Sequence, residues 1–430
     1  MTRYVYWRKS DGRRSTSGHC PVSANLAKAI GSAKVNREGK IEWPFSYFEQ
    51  ETSIRSCVYV RKPDGRELNS TDTSAIASRA IHEIVRNPKA DNSDLSDRLI
   101  KVADQYAKSL FRTRRQKYTL VTSLSVESFP FKVSAMDGIY IVPSPIRYNR
   151  HYRIPDILKS PLREVAFRNH LDETQYSAVR VHLETFSEAD AIDSGLDTIN
   201  TVRGLWNLFA TYGKMTIQMG GHKKPICLIG IGPIHTLHHS GGDPVSDDQY
   251  WFEPDYRRDI QLFRPRQGWA QIENARRAAM RSIKKLPYRI RCMELLLRYC
   301  EAIDANDYNT VLLKLWALLE NITCTIGGNY SQAINRASWI FKNRTIVAER
   351  LEMARICRNR LVHSAVSGPD VDQVAYSLKC LIDPHISHLI FNDFSVDSID
   401  EYAGILSTTK SPGALEKRIK RLRTVQKIVG

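Results

Sequence analysis

The sequence predicts an α+β N-terminal region followed by an all-α helical-bundle domain. Three observations lead there. Before about residue 265, short runs alternate apolar and polar residues with period two, interleaved with stretches of helical period. From about Gly268 onward the period is helical almost without interruption. Polar caps, prolines and glycines punctuate that second part at intervals that suit a bundle.

The first part, residues 1–150, reads as one α+β domain. Residues 57–61 form a strand that enters a tight turn at Pro63-Asp64-Gly65. Helices are expected over 73–86 and 95–112, the second capped by Asp94. The clearest hairpin spans 131–142, because Asp137-Gly138 tolerates the positive φ angles of a primed turn. Pro143, Pro145 and Pro155 suggest a break before a second α+β segment, residues 175–265, packed with the first. There, 178–184 alternates like a half-buried strand. Ser187 with Asp190 looks like a capping box opening a helix to about Tyr212. Residues 226–231 read as the next strand, and His235, His238 and His239 as part of a histidine-rich loop rather than a metal site.

Residues 268–395 read as the helical domain. Helices are expected over 269–283 and 290–303, then 310–323 with Leu312, Leu315, Trp316 and Leu319 on one face. A short helix over 331–341 follows, then one over 347–364. The next, 370–382, should kink or break at Pro384. Residues 396–430 end in a basic amphipathic helix, 414–429. Its apolar face is Leu415, Ile419, Leu422 and Val425, among Lys417, Arg418, Lys420, Arg421, Arg423 and Lys427. Packing against the domain and RNA binding are equally plausible uses for it.

Charge and composition narrow the functional classes. The formal net charge is +17. Such a surplus of Lys and Arg attracts polyanions, nucleic acid above all because the basic residues cluster; a solubility surplus or a patch for an acidic protein partner is the alternative. Residues 1–9 are charged and lack an apolar core, so no signal peptide is expected. No apolar run approaches the roughly 20 residues of a membrane span. The eight cysteines are scattered without a C-x-x-C pair, which indicates neither zinc nor a disulfide framework. A cytoplasmic protein with no metal, no cofactor and no membrane partner is expected.

The segment Met353-Ala354-Arg355-Ile356-Cys357-Arg358-Asn359-Arg360-Leu361-Val362-His363 carries the candidate chemistry. It resembles the signature of the HEPN superfamily, in which an Arg, often followed by Asn, precedes a His by a few residues. In particular it resembles the ApeA-like HEPN domains of bacterial antiphage proteins. Arg358, Asn359 and His363 match that signature. Upstream, Leu286-Pro287-Tyr288-Arg289 opening a helix and the segment from Leu315 to Glu320 on the next stand in the family's order. The resemblance covers roughly residues 270–395.

The resemblance implies a metal-independent endoribonuclease leaving 2′,3′-cyclic phosphate and 5′-hydroxyl ends. It implies a toxin-like defence effector acting on tRNA or another structured RNA, and a homodimer whose two motifs line one cleft. The residue types suit that chemistry. An imidazole can accept or donate the protons exchanged when a 2′-hydroxyl attacks phosphorus. A guanidinium stabilises the charge gathered on the phosphorane. On an ideal helix, five residues place Arg358 and His363 roughly 140° apart, so either one side chain leans around or two chains contribute.

Glu320, beside the apolar stripe, is expected to pair with Arg358 or His363. Asn359 is expected to act as a positioner and Arg360 to touch a neighbouring phosphate. Arg276, Arg277, Arg281, Lys284, Lys285 and Arg289 form a basic run that could hold the RNA backbone. The N-terminal region would then sense a trigger or restrain the nuclease. The alternative is a non-catalytic module that only dimerises or binds RNA, with function carried by residues 1–265.

Overall fold

A computed structural model describes residues 2–8, 21–36, 40–44, 47–87, 94–159, 176–212, 226–257, 260–265, 268–326, 329–364 and 370–429. The described chain is a mixed α+β, helix-rich protein with three buried cores. No helix among the described residues is long and apolar enough to cross a membrane.

The first core gathers α1 (Ser23–Ser32), α2 (Tyr47–Cys57), α3 (Ser70–Arg86) and α4 (Leu95–Arg112) around the antiparallel pair β1 (Val5–Trp7) and β4 (Val58–Val60). A small pair, β2 (Lys34–Val35) with β3 (Ile41–Glu42), lies beside α3. Asn69 and Asp94 cap α3 and α4 by accepting from Asp72 N and Ser96 N. Gly65 takes φ +95° in the turn after β4, a conformation that a side chain would strain.

The second core lies between a six-stranded antiparallel sheet and one long helix, α5 (Glu188–Thr211). The strand order is β10 (Trp251–Phe252), β9 (Ile234–His239), β5 (Gln116–Leu124), β8 (Ser177–Thr185), β7 (Tyr140–Pro143), β6 (Val133–Ser134). Asp137 (φ 55°) and Gly138 (φ 76°) make the primed turn between β6 and β7. Strands from both sides of the proline-rich stretch pair directly, as Leu120 with Val181 shows. The break expected after residue 150 therefore falls within one sheet.

Two expectations in this region are corrected. Residues 226–231 are not a strand. The buried Asn207 accepts from the backbone N–H groups of Leu228 (2.8 Å) and Ile229 (3.0 Å), and Arg203 Nη1 donates to Ile229 O at 3.0 Å, so side chains rather than a ladder bond these groups of 228–229. The strand is β9, and His235 and His238 are buried on it rather than carried in a loop. His235 Nδ1 meets Thr122 Oγ1 at 2.7 Å, and burial pushes this imidazole down to about 3.

The third core is all helical: α6 (Trp269–Ile283), α7 (Arg289–Asp304), α8 (Tyr308–Thr323), α9 (Tyr330–Ser338), α10 (Arg344–Ser364), α11 (Val371–Phe391) and α12 (Ile399–Ile405). Pro384 neither ends α11 nor stops its packing. On one side Asp383 accepts from Tyr299 Oη (3.0 Å) and Lys379 Nζ (2.6 Å). On the other, His385 bonds Tyr402 and the Ala337 carbonyl. These buried contacts offset the lost amide bond and the ring clash of an internal proline.

Helix α5 is shared by the second and third cores. Ile199, Val202 and Trp206 pack toward the sheet, whereas Leu205 and Leu208 join the helical core. Gly204 lets α7 approach closely, since a Cβ there would stand 3.4 Å from the Cys300 Cβ. Buried Arg203 donates to Asp304 (Nη1–Oδ1 2.9 Å) and pins α5 to α7. Ser187 caps α5 as expected, accepting from Asp190 N at 3.0 Å. The Asp190 carboxylate does not reach back to complete a capping box. It accepts instead from buried Lys62 Nζ at 2.6 Å, tying the first unit to the second.

Candidate functional site

Helix α10 carries the motif. Val347, Leu351 and Ala354 form its buried row. Arg358 follows Leu351 and Ala354 at i+7 and i+4, so it extends that inward row and is half-buried at its end. Its Nη1 donates to Tyr330 Oη and to Asn359 Oδ1, each at 3.1 Å. The guanidinium carbon lies 5.6 Å from the Tyr330 ring centre, and that of Arg355 lies at 5.8 Å. Tyr330, the first residue of α9, in turn packs on Trp316 of α8, with ring centres 6.2 Å apart.

Glu320 lies close to this cluster but does not pair as expected. It accepts from Trp316 Nε1 at 2.9 Å, rather than from Arg358 or His363. The reason is local: Trp316 and Glu320 are one helical turn apart and face each other. Asn359 does hold Arg358.

His363 and Arg360 are exposed. Among the described residues no hydrogen bond joins His363 to Arg358, in line with their separation around the helix. The face that bears them is the outward one. Ile346, Met353, Ile356, Arg360 and His363 follow one another at i, i+7, i+10, i+14 and i+17, which is one stripe of a helix. Its three apolar members are 50%, 58% and 46% exposed.

The basic run divides. Arg276 is only 1% exposed, and its guanidinium donates to Glu273 through Nε (2.8 Å) and Nη2 (2.9 Å), beside the Trp206 indole on the same carboxylate. It is a structural ion pair, which corrects its expected role toward RNA. Arg277 is exposed and shares Glu273 at 2.8 Å. Arg281, Lys284, Lys285 and Arg289 are exposed. Their turn is anchored where Ser282 and Tyr288 donate to the carbonyls of Ile390 and Leu389. That is the C-terminal end of α11, on the order of 25 Å along the helix from Val371, where the chain arrives from the motif helix.

The last helix, α13 (Pro412–Val429), keeps Ile419, Leu422 and Val425 about half exposed instead of packing them on the domain. Tyr330 is the site residue that the sequence did not disclose. It belongs to no spacing pattern, and only the packing of α9 against α10 brings it to Arg358.

Comparison of the chain with protein families, with curated proteins and with solved structures returns no match.

Proposed function

We propose that the helical unit is a HEPN-type, metal-independent endoribonuclease that acts as a homodimer, with Arg358 and His363 as its reacting pair. One observation carries the reading most. On a single helix, a half-buried guanidinium braced by Tyr330 and Asn359 precedes by five residues an exposed imidazole. The guanidinium neutralises charge on the phosphorane, and the imidazole exchanges protons with the attacking 2′-hydroxyl or the departing 5′-oxygen. The products are 2′,3′-cyclic phosphate and 5′-hydroxyl ends.

The pairing of copies has its own support. The outward stripe of α10 sets Ile346, Met353 and Ile356 in water in the single chain, in line with His363. A second copy laid on that stripe buries the apolar residues and brings the His363 of both copies to the seam. Arg360, Arg277, Arg281, Lys284, Lys285 and Arg289 are the exposed cations that would hold the RNA backbone. The likeness to ApeA-like domains extends the proposal to a cytoplasmic, toxin-like antiphage effector that cuts tRNA or another structured RNA. Residues 1–265 then answer a trigger.

The test is cleavage of total RNA in excess EDTA, with the ends mapped. Arg358→Ala should lower kcat by about 100- to 1000-fold, and His363→Ala by at least about 100-fold, with melting temperatures unchanged. Cleavage by His363→Ala at the wild-type rate would remove the assignment.

A further inference from the structure

We propose that Tyr330 is a positioning residue of this site: its phenol fixes the Arg358 guanidinium so that one edge stays free for the phosphate. The inference rests on the ribonuclease reading and adds a residue from outside the motif.

A guanidinium has five N–H donors in a rigid fork, and two parallel ones grip a phosphate best. Arg358 spends Nη1 on two acceptors, Tyr330 Oη and Asn359 Oδ1, both at 3.1 Å. Its Nε–H and Nη2–H donors, which form the adjoining edge, have no partner among the described residues. Asn359, next to Arg358 on the same helix, cannot set the direction of a long side chain alone. Tyr330 comes from another helix and supplies the second fixed point. Its own ring is held by the Trp316 ring at 6.2 Å, and Trp316 is held by Glu320 through the indole N–H at 2.9 Å. The line from Glu320 through Trp316 and Tyr330 to Arg358 thus ends on the reacting guanidinium. It also gives Glu320 a place at the site, three contacts removed from the arginine.

Arg355 lies over the same ring at 5.8 Å, but its guanidinium is bound in both arms to Glu352. The ring therefore meets one neutralised arginine and one with an open edge. Pre-orientation matters because a displaced charge stabiliser loses most of its effect on the barrier.

The experiment uses the full chain and total tRNA in EDTA, comparing wild type, Tyr330→Phe, Arg358→Ala and the double variant. Tyr330→Phe keeps the ring and loses only the acceptor. It should lower kcat about 10- to 30-fold with KM within about twofold and an unchanged melting temperature. The double variant should be no slower than Arg358→Ala alone, because both changes remove one unit. Wild-type kcat in Tyr330→Phe, or a loss that multiplies with that of Arg358→Ala, would overturn the positioning role while leaving the nuclease intact. A lowered melting temperature with kcat unchanged would make Tyr330 a packing residue and overturn it too. A wild-type chain that leaves tRNA uncut overturns the nuclease reading and this inference together.

Discussion

Side chains in the helical unit meet two kinds of surroundings, and the difference decides what each can do. Arg358 sits at the end of a buried row with part of its guanidinium exposed, whereas Arg276 is enclosed and paired through Nε and Nη2 with Glu273. Both are arginines in basic stretches, and charge alone gives no way to tell them apart. His385 shows the same point for titration. Its Nε2 faces the Ala337 carbonyl, which can only accept, so Nε2 carries the proton and Nδ1 accepts from Tyr402. Burial pushes this imidazole down to about 4.

The sign for stability follows from that direction. Below about pH 6.5 the unfolded chain takes up a proton that the folded chain refuses. His385 therefore contributes stability that is present above that pH and is lost as the pH falls toward 4, to the extent of about 3 kcal/mol. Urea midpoints measured at pH 7 and pH 4.5 should fall less steeply in His385→Asn than in wild type. Equal slopes would mean that His385 does not carry this dependence. The arginine–histidine spacing was legible in the sequence because it is a pattern along one helix. Tyr330 was not, because its role depends on which helices touch.

Elements with strong periodicity matched expectation closely. Helices α3, α4, α6, α7 and α8 fall within a few residues of the expected ranges, since their apolar stripes and caps are local signals. The failures share a cause. Residues 226–231 look like a strand, yet Asn207 and Arg203, distant in sequence, occupy their backbone groups. β9 was hidden because two of its buried positions are histidines. Pro384 is tolerated because buried polar contacts brace α11 on either side of it. The outward stripe of α10 also belongs to this scale. Met353→Glu with Ile356→Glu places charge on that face without touching the buried row of Val347, Leu351 and Ala354. Sedimentation should then show a monomer, and RNA cleavage should fall by more than about tenfold. An unchanged sedimenting mass would detach this stripe from the assembly.

Across the molecule, α5 is the common member. One side of it builds the sheet core, the other joins the helical core, and buried Lys62 reaches its first turn from the N-terminal unit. The ion pairs Lys62–Asp190 and Arg203–Asp304 thus couple the three units through one helix. The order of an α+β region and then a helical unit was legible, while the boundary near residue 150 was not, because strand pairing across it leaves no local trace. In the proposed dimer each of two reacting sites takes Arg358 from one copy and His363 from the other. Mixing the Arg358→Ala and His363→Ala chains, each inactive alone, tests it most directly. Random pairing puts half the chains in mixed dimers, each with one intact site of two, so RNA cleavage should return to about a quarter of the wild-type rate. A mixture as inert as its parts would contradict the account.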